Sequence, residues 1–398
     1  MARFLVDGLV ATGKYTFRCL GGAIKHPNYN TVMVNPDFII RPVDGFGNHE
    51  MIRNILITER PDALLLFTDP RQFMWLWEIE DEIHQFCPIT YWHVWDNDPY
   101  PSFNDVWYKS TDLINCLSHK TFELVQPRFP NKTNYIPHAW PNQVYHELPE
   151  DKVKELRVAN FKDRADWFTG VWVNRNATRK MPNDVLHAWK VFLDNLEATE
   201  GHRKAQIVMH TDPVDSEGPN LLATSEMLGI SQNVLFSTQK VDFTDMNALY
   251  NVCDFVVNVS KAEGFGLSTL SGMMAGKPII GLKTGGITRQ VVDYRDGTEN
   301  GVAIEPAART MVGSQMVPYI FDDHINHMDL ADAYMKLYKM GPDGRKTLGQ
   351  KAKAYAAHEF NYDGVIRAWD ESLDKCITGW KAAKPQGWTC EQLNTFGK

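Results

Sequence analysis

The stretch KAEGFGLSTLSGMMAGKP (261–278) sets one carboxylate, Glu263, before a glycine-punctuated turn and a run of small and apolar residues. It follows an apolar run, DFVVNVS (254–260), so the pattern predicts a strand that turns into a helix. Free backbone N–H groups at a helix start, with the helix dipole behind them, bind phosphate. Gly264 and Gly266 remove side chains that would block close approach. Glu263 is then poised to accept hydrogen bonds from hydroxyls on whatever the phosphate carries. The competing reading is a plain strand-to-helix turn whose glycines serve only sterics. Two histidines, His138 and His210, fall at the ends of predicted strands, where they face a ligand or simply pack. Aromatics crowd 75–108, and flat rings there stack on sugars or bases, or build core.

Short β-rich runs alternate with helical patterns from end to end. The first half offers RFLVDG, 31–35, 63–69, 89–94, 113–118 and 133–138 as strands, with a helix over 49–60. The second offers 167–174, 205–210, 233–238, 254–260, 278–284 and 301–306, with a helix over 182–198. Such alternation predicts α/β architecture: two Rossmann-like, doubly wound domains facing a cleft, then a helical C-terminal tail. A polar, Pro-containing and charged stretch near 140–165 marks the link. The expected units are therefore 1–155, 156–365 and a tail, 366–398, that packs back on the first domain.

At 398 residues the chain is too long for one ordinary core, and 43% apolar content supports two. No apolar run reaches the roughly 20 residues that span a bilayer, and the N-terminus lacks a secretion-signal pattern. A net charge of −8 argues against a polybasic nucleic-acid or membrane binder. Six scattered cysteines, Cys19, Cys87, Cys116, Cys253, Cys376 and Cys390, form no CxxC pair. They predict reduced thiols and a cytoplasmic location.

The block EGFGLSTLSGMMAGKPIIGLKTGGITRQVVDYRDGTENGVAI (263–304) resembles the donor-site signature of the family-4 retaining glycosyltransferases of the GT-B fold. IPHAWPNQVY (136–145), VNRNATRKMPNDVLHAW (173–189) and LVDGLVATGKYTFRCLGGA (5–23) resemble three further segments of that family, in order. The resemblance implies a transferase that keeps the anomeric configuration and works without metal or cofactor. It uses a nucleotide-sugar co-substrate, expected to be a UDP-sugar. By the same resemblance Glu263 holds the transferred sugar, with backbone contacts from Phe265, Gly266 and Leu267. Arg175 and Lys180 take the donor phosphates, and Gly13 lies near the donor. His210 joins the donor side and His138 the acceptor side. Two cations and helix N–H groups would stabilise charge developing on a leaving diphosphate, which makes physical sense of those roles.

One position departs from the family pattern. A second Glu, eight positions after the first, normally grips the nucleotide ribose, and Ser271 stands there. A hydroxyl offers one neutral hydrogen bond in place of charge-assisted ones, or simply lets the helix pack.

Asp96-Asn97-Asp98 has the Asp-x-Asp form that metal-dependent transferases use, but that motif belongs to a single-Rossmann fold. We expect it to face the cleft from the acceptor side instead, where His93, Asp96 or Asp98 positions an acceptor hydroxyl. A turn that caps local backbone is the alternative. The acceptor stays open among a saccharide, a small molecule and a modified, hydroxymethylated base in viral DNA. An epimerase or hydrolase on this fold, or a non-catalytic sugar- or nucleotide-binding protein, are the competing functions.

Overall fold

Two parallel sheets, one in each half of the chain, carry the architecture. The computed structural model describes residues 1–22 and 29–383. The first half forms a four-stranded parallel sheet in the order Leu64–Phe67, Ile89–His93, Leu113–Cys116, Thr133–Tyr135. Every residue of Ile89–His93 and Leu113–Cys116 is buried, as strands covered on both faces require. The second half forms a six-stranded parallel sheet. Its order is Val234–Ser237, Ala205–His210, Phe168–Val173, Phe255–Asn258, Ile279–Leu282, Gly301–Ile304. The chain winds outward from Phe168–Val173 to one edge, returns, and winds outward from Phe255–Asn258 to the other. The switch point where ligands bind such sheets therefore lies between those two strands.

The N-terminal segment corrects the reading of RFLVDG as a strand. Ala2–Ala11 is a helix that buries Leu5, Val6 and Leu9. The 5, 6, 9 spacing is that of a helical stripe, which a short apolar run does not distinguish from a strand. Two further strands escaped the pattern, Phe17–Gly22 and Phe38–Val43. With Val32–Asn35 they form a separate small sheet. The charged stretch near 150 is itself a helix, Glu150–Phe161, with Glu150 and Asp151 in its first turn, where the dipole favours them.

Three helices close the described residues, His327–Lys339, Gly341–Glu359 and Tyr362–Ala383, and the rest of the expected tail, 384–398, lies outside them. The last crosses back to the first sheet. Trp369 packs edge-on against Trp92 at 5.4 Å between ring centres, and Asn115 Nδ2 donates to Ser372 Oγ at 2.9 Å. Lys14 pairs with Asp370 at 2.6 Å, so both ends of the described chain are knitted together. Cys19, Cys87, Cys116, Cys253 and Cys376 are free thiols, and Cys390 lies outside the described residues. Among the described residues no helix is long and apolar enough to cross a membrane.

Candidate active site

The carboxyl ends of both sheets open on one cleft of about 460 Å³. Each wall is made of residues that follow strands. Thr68, Asp96, Leu117 and His138 come from the four strands of the first sheet. Lys180 and Glu263 come from the loops after Phe168–Val173 and Phe255–Asn258, the two strands at the switch point.

Those two loops are bonded into one unit. Lys261 N–H donates to Arg179 O at 2.8 Å, and the Arg179 guanidinium donates to Ala262 O. The Lys180 ammonium pairs directly with Glu263 Oε2, and both side chains are largely buried. The Ser260 hydroxyl sits 3.1 Å from that same oxygen and 2.8 Å from Asn258 Oδ1. Glu263 is also held by its backbone: its N–H donates to Asp96 O at 3.3 Å, and its O accepts Gly286 N–H at 2.8 Å. Gly264 has no room for a side chain, since a Cβ would lie 2.4 Å from Val94 Cγ2 and 2.7 Å from Asp96 Oδ1. Gly266, at φ +93°, opens the helix Leu267–Met274 in a conformation that suits glycine.

Burial pushes the Glu263 carboxyl up, but Lys180 and Arg179, with the Lys180 and Ser260 hydrogen bonds, outweigh it and hold it below the usual carboxylate range. Asp96 faces it from the first domain with the opposite result. There burial dominates and raises the pKa; Arg179, 3.6 Å away, offsets only part, while Glu263 adds to the rise. Two neighbouring carboxylates thus hold their protons with different strength, one anchored and one poised.

Several expected residues lie in this cleft: Glu263, Lys180, Phe265, Gly266, Leu267, Ser271, Asp96 and His138. His138 packs edge-on against Phe265 and Trp92, 5.0 Å from each, and burial lowers its pKa to about 3, so the ring is neutral. Ser271 faces the cleft but spends its proton inside its own helix, donating to Leu267 O at 2.9 Å. Its oxygen can only accept from a ligand.

Others are placed elsewhere. Arg175 is exposed and forks onto Asp215 at 2.8 and 3.0 Å, outside the cleft lining. Gly13 follows the end of the N-terminal helix at φ +74°, not the strand the motif presumed, with nothing within 4 Å of its Cβ position. His210 bonds Ser237 Oγ at 2.9 Å on a strand beside the switch point, and burial lowers its pKa. His93 is wholly buried, with Nε2 2.6 Å from the Tyr108 hydroxyl and a pKa lowered to about 3 by burial. It belongs to the core because alternate residues of a strand point to opposite faces. Asp98 turns away to Lys120 at 3.3 Å and Arg309 at 3.4 Å. The Asp-x-Asp carboxylates therefore diverge, and among the described residues no group of three or more His, Cys, Asp or Glu is set to hold a metal.

Arg179 was missed, although it adjoins Lys180. So were Tyr145 and Tyr250, whose hydroxyls flank Ser271 in the cleft wall. Tyr145 lay within the quoted 136–145 segment, but nothing in its spacing marks it out.

The fold is that of the GT-B glycosyltransferases. Sucrose-phosphate synthase of Thermosynechococcus elongatus superimposes with a TM-score of 0.73 at 14% identity, over 95% of this chain and 93% of that one. HepE of Anabaena, solved with UDP-glucose, gives 0.63 at 15% identity over 84% and 86%. Within this fold, residues 177–317 match the family described as Glycosyl transferases group 1. That segment includes Lys180, Glu263 and the helix they adjoin. Among curated relatives, D-inositol 3-phosphate glycosyltransferase 2 of Catenulispora acidiphila is 30% identical over 133 residues, 32% of this chain and 30% of its own length. An uncharacterized glycosyltransferase of Methanocaldococcus jannaschii is 25% identical over 136 residues, 33% and 32%. The chain thus spans about a third of the length of these relatives.

Proposed function

We propose that the chain is a retaining, metal-independent glycosyltransferase that moves a sugar from a nucleotide-sugar, a UDP-sugar, to an acceptor hydroxyl. The observation that carries this reading is the buried Lys180–Glu263 pair at the switch point, opposite Asp96 of the other domain. The Glu263 carboxylate, kept ionised by its cations, accepts from hydroxyls of the transferred sugar. Lys180, with the N–H groups opening the helix Leu267–Met274, stabilises charge on the leaving diphosphate. The ammonium and the helix dipole together supply the positive field that the leaving group needs.

In the transfer the bond from anomeric carbon to phosphate oxygen breaks, and the acceptor oxygen bonds to that carbon on the same face. The acceptor proton passes to the departing phosphate oxygen. Asp96 accepts a hydrogen bond from the acceptor hydroxyl and orients it. Arg175 reaches the phosphates only by leaving Asp215. The UDP donor is favoured by HepE, whose structures hold UDP and UDP-glucose. The unpaired cysteines support a cytoplasmic location.

The test is a panel of UDP-, GDP-, ADP- and CMP-sugars, read by thermal shift and then by turnover with saccharide acceptors. UDP-sugars are expected to raise Tm, EDTA to leave turnover intact, and the product to keep the donor's anomeric configuration by NMR. A product of inverted configuration, or activity lost to EDTA and restored by Mn²⁺, overturns the corresponding part. Release of free UDP with no acceptor dependence would make the protein a hydrolase.

A further inference from the structure

Between the strand Gly301–Ile304 and the helix His327–Lys339 the chain makes an antiparallel hairpin, Ala308–Val312 with Ile320–His324. In sequence it belongs to the second domain, yet its second strand lies along the first. Phe321 N–H donates to Asp98 O at 2.8 Å, and Asn97 Nδ2 donates back to Phe321 O at 2.9 Å. The same amide reaches Asp323 Oδ2 at 2.8 Å. The Asp323 side chain is fully buried, and Arg309 on the opposite strand neutralises it at 2.6 Å while reaching Asp98 at 3.4 Å. Asp323 N–H also donates to Lys261 O at 2.8 Å. The hairpin is thus bonded at once to the residues after Asp96 and to the loop two residues before Glu263. Further out, Tyr319 packs edge-on against Phe103 at 5.2 Å and meets the Ser102 hydroxyl at 2.5 Å.

A connection from strand to helix in such a sheet needs only a few residues. This one is lengthened by a hairpin that carries a buried carboxylate to the domain boundary. Burying that charge costs free energy unless a cation and hydrogen bonds meet it, as Arg309 and Asn97 do here. These bonds span the two walls of the cleft at the level of Asp96 and Glu263.

We infer that the 308–324 hairpin is a clasp that holds the Asp96–Asp98 segment against the Glu263 turn, so that Arg309, Asn97 and Asp323 are positioning residues for Asp96. The inference rests on the reading of Asp96 as the acceptor-side carboxylate. Charged groups facing Asp96 are Arg179, Lys180, Glu263 and Asp69, and none belongs to the hairpin. The clasp therefore acts on Asp96 through the placement and burial of its backbone.

The experiment compares the full chain with Arg309→Ala and Arg309→Lys, using UDP as the probe. Three readouts are taken: UDP affinity, amide exchange at Phe321 and Glu263, and the titration of the Asp96 carboxyl by NMR, assigned with Asp96→Asn. In Arg309→Ala, exchange at both amides should speed at least about tenfold as the clasp opens locally. The Asp96 titration should move down towards the ordinary carboxylate range, UDP affinity should hold within about twofold because the Lys180–Glu263 pair and the Arg179–Ala262 bond do not involve the hairpin, and Arg309→Lys should recover part of the change. Unchanged exchange and an unmoved Asp96 titration overturn the clasp. If UDP fails to bind the unaltered chain, the donor reading falls while exchange and titration still decide the clasp. Should Arg309→Ala not fold, Tyr319→Phe loosens the outer end, with the same signs expected and the same null result overturning it.

Discussion

The two walls of the cleft are built on different terms. The second-domain wall is charged and locally satisfied: Lys180 pairs with Glu263, Arg179 binds Ala262 O, and the loops are bonded to each other. The first-domain wall is aromatic and neutral, with His138 wedged between Phe265 and Trp92, and Asp96 as its one carboxylate in the cleft lining. The first arrangement suits a ligand that arrives charged and leaves with more charge. The second suits a neutral partner that brings a hydroxyl. The carboxylates report the same contrast, Glu263 held below its ordinary range by cations and Asp96 held above it by burial.

The largest break in that comparison comes from the charged wall. Glu263→Ala should cut transfer by about 10³-fold, the upper range for a lost preorganised contact. It should also destabilise the fold by about 3 kcal/mol, since it leaves the Lys180 ammonium buried without a partner. Turnover and urea unfolding check the two halves, and near-normal turnover removes Glu263 from the donor site.

Asp96→Asn tests the other wall. If the ionised carboxylate orients the acceptor, the native rate falls as pH drops through a pKa above the ordinary Asp value, and the variant lacks that acidic limb. Stability should move the opposite way. A carboxyl with a raised folded pKa adds stability only at low pH and loses it as pH rises through that pKa. Asp96→Asn should therefore leave Tm at pH 7 equal or higher; a marked fall would mean that the Arg179 contact outweighs burial.

The neutral wall and the core behind it give a smaller effect with a defined pH window. His93 and His138 have folded pKa values near 3 against an ordinary value of 6.5. Between those values the unfolded chain binds more protons, so each histidine removes stability as pH falls, by about 1.4 kcal/mol per pH unit below 6.5. Urea unfolding at pH 7, 6 and 5 reads this, and His138→Gln should flatten the slope by its share. The smallest effect belongs to Ser271. With its proton committed to Leu267 O, Ser271→Ala should change UDP affinity by less than about threefold. A tenfold loss would give the hydroxyl a direct part in holding the nucleoside.

The sequence made the second-domain wall readable because its chemistry is local. Each strand there is a dense apolar run, and Glu263 with its glycines directly follows one of them. Lys180 needed only a second strand end. The first domain resisted the same treatment. Placing His93 in the core and His138 in the cleft depends on which way a side chain leaves its strand end, and both are equally apolar neighbourhoods in sequence. The N-terminal helix carried seven apolar residues in ten, a composition that fits strand or helix until Ile366 is seen filling the space beside Gly8.

The sequence by itself determined that two parallel sheets would turn their carboxyl ends towards one cleft, and which turn sets a carboxylate in its lining. Periodicity and glycine chemistry are properties of short segments, so they survive without a fold. The tertiary structure alone decided that Arg179 joins Lys180 at Glu263 while Arg175 goes to Asp215. It alone split Asp96 from Asp98, and it brought a hairpin from residues 308–324 to hold them. Those outcomes depend on where a charged side chain finds its partner across tens to hundreds of residues. Only the packed chain brings the partners within bonding distance and excludes the water that would otherwise compete.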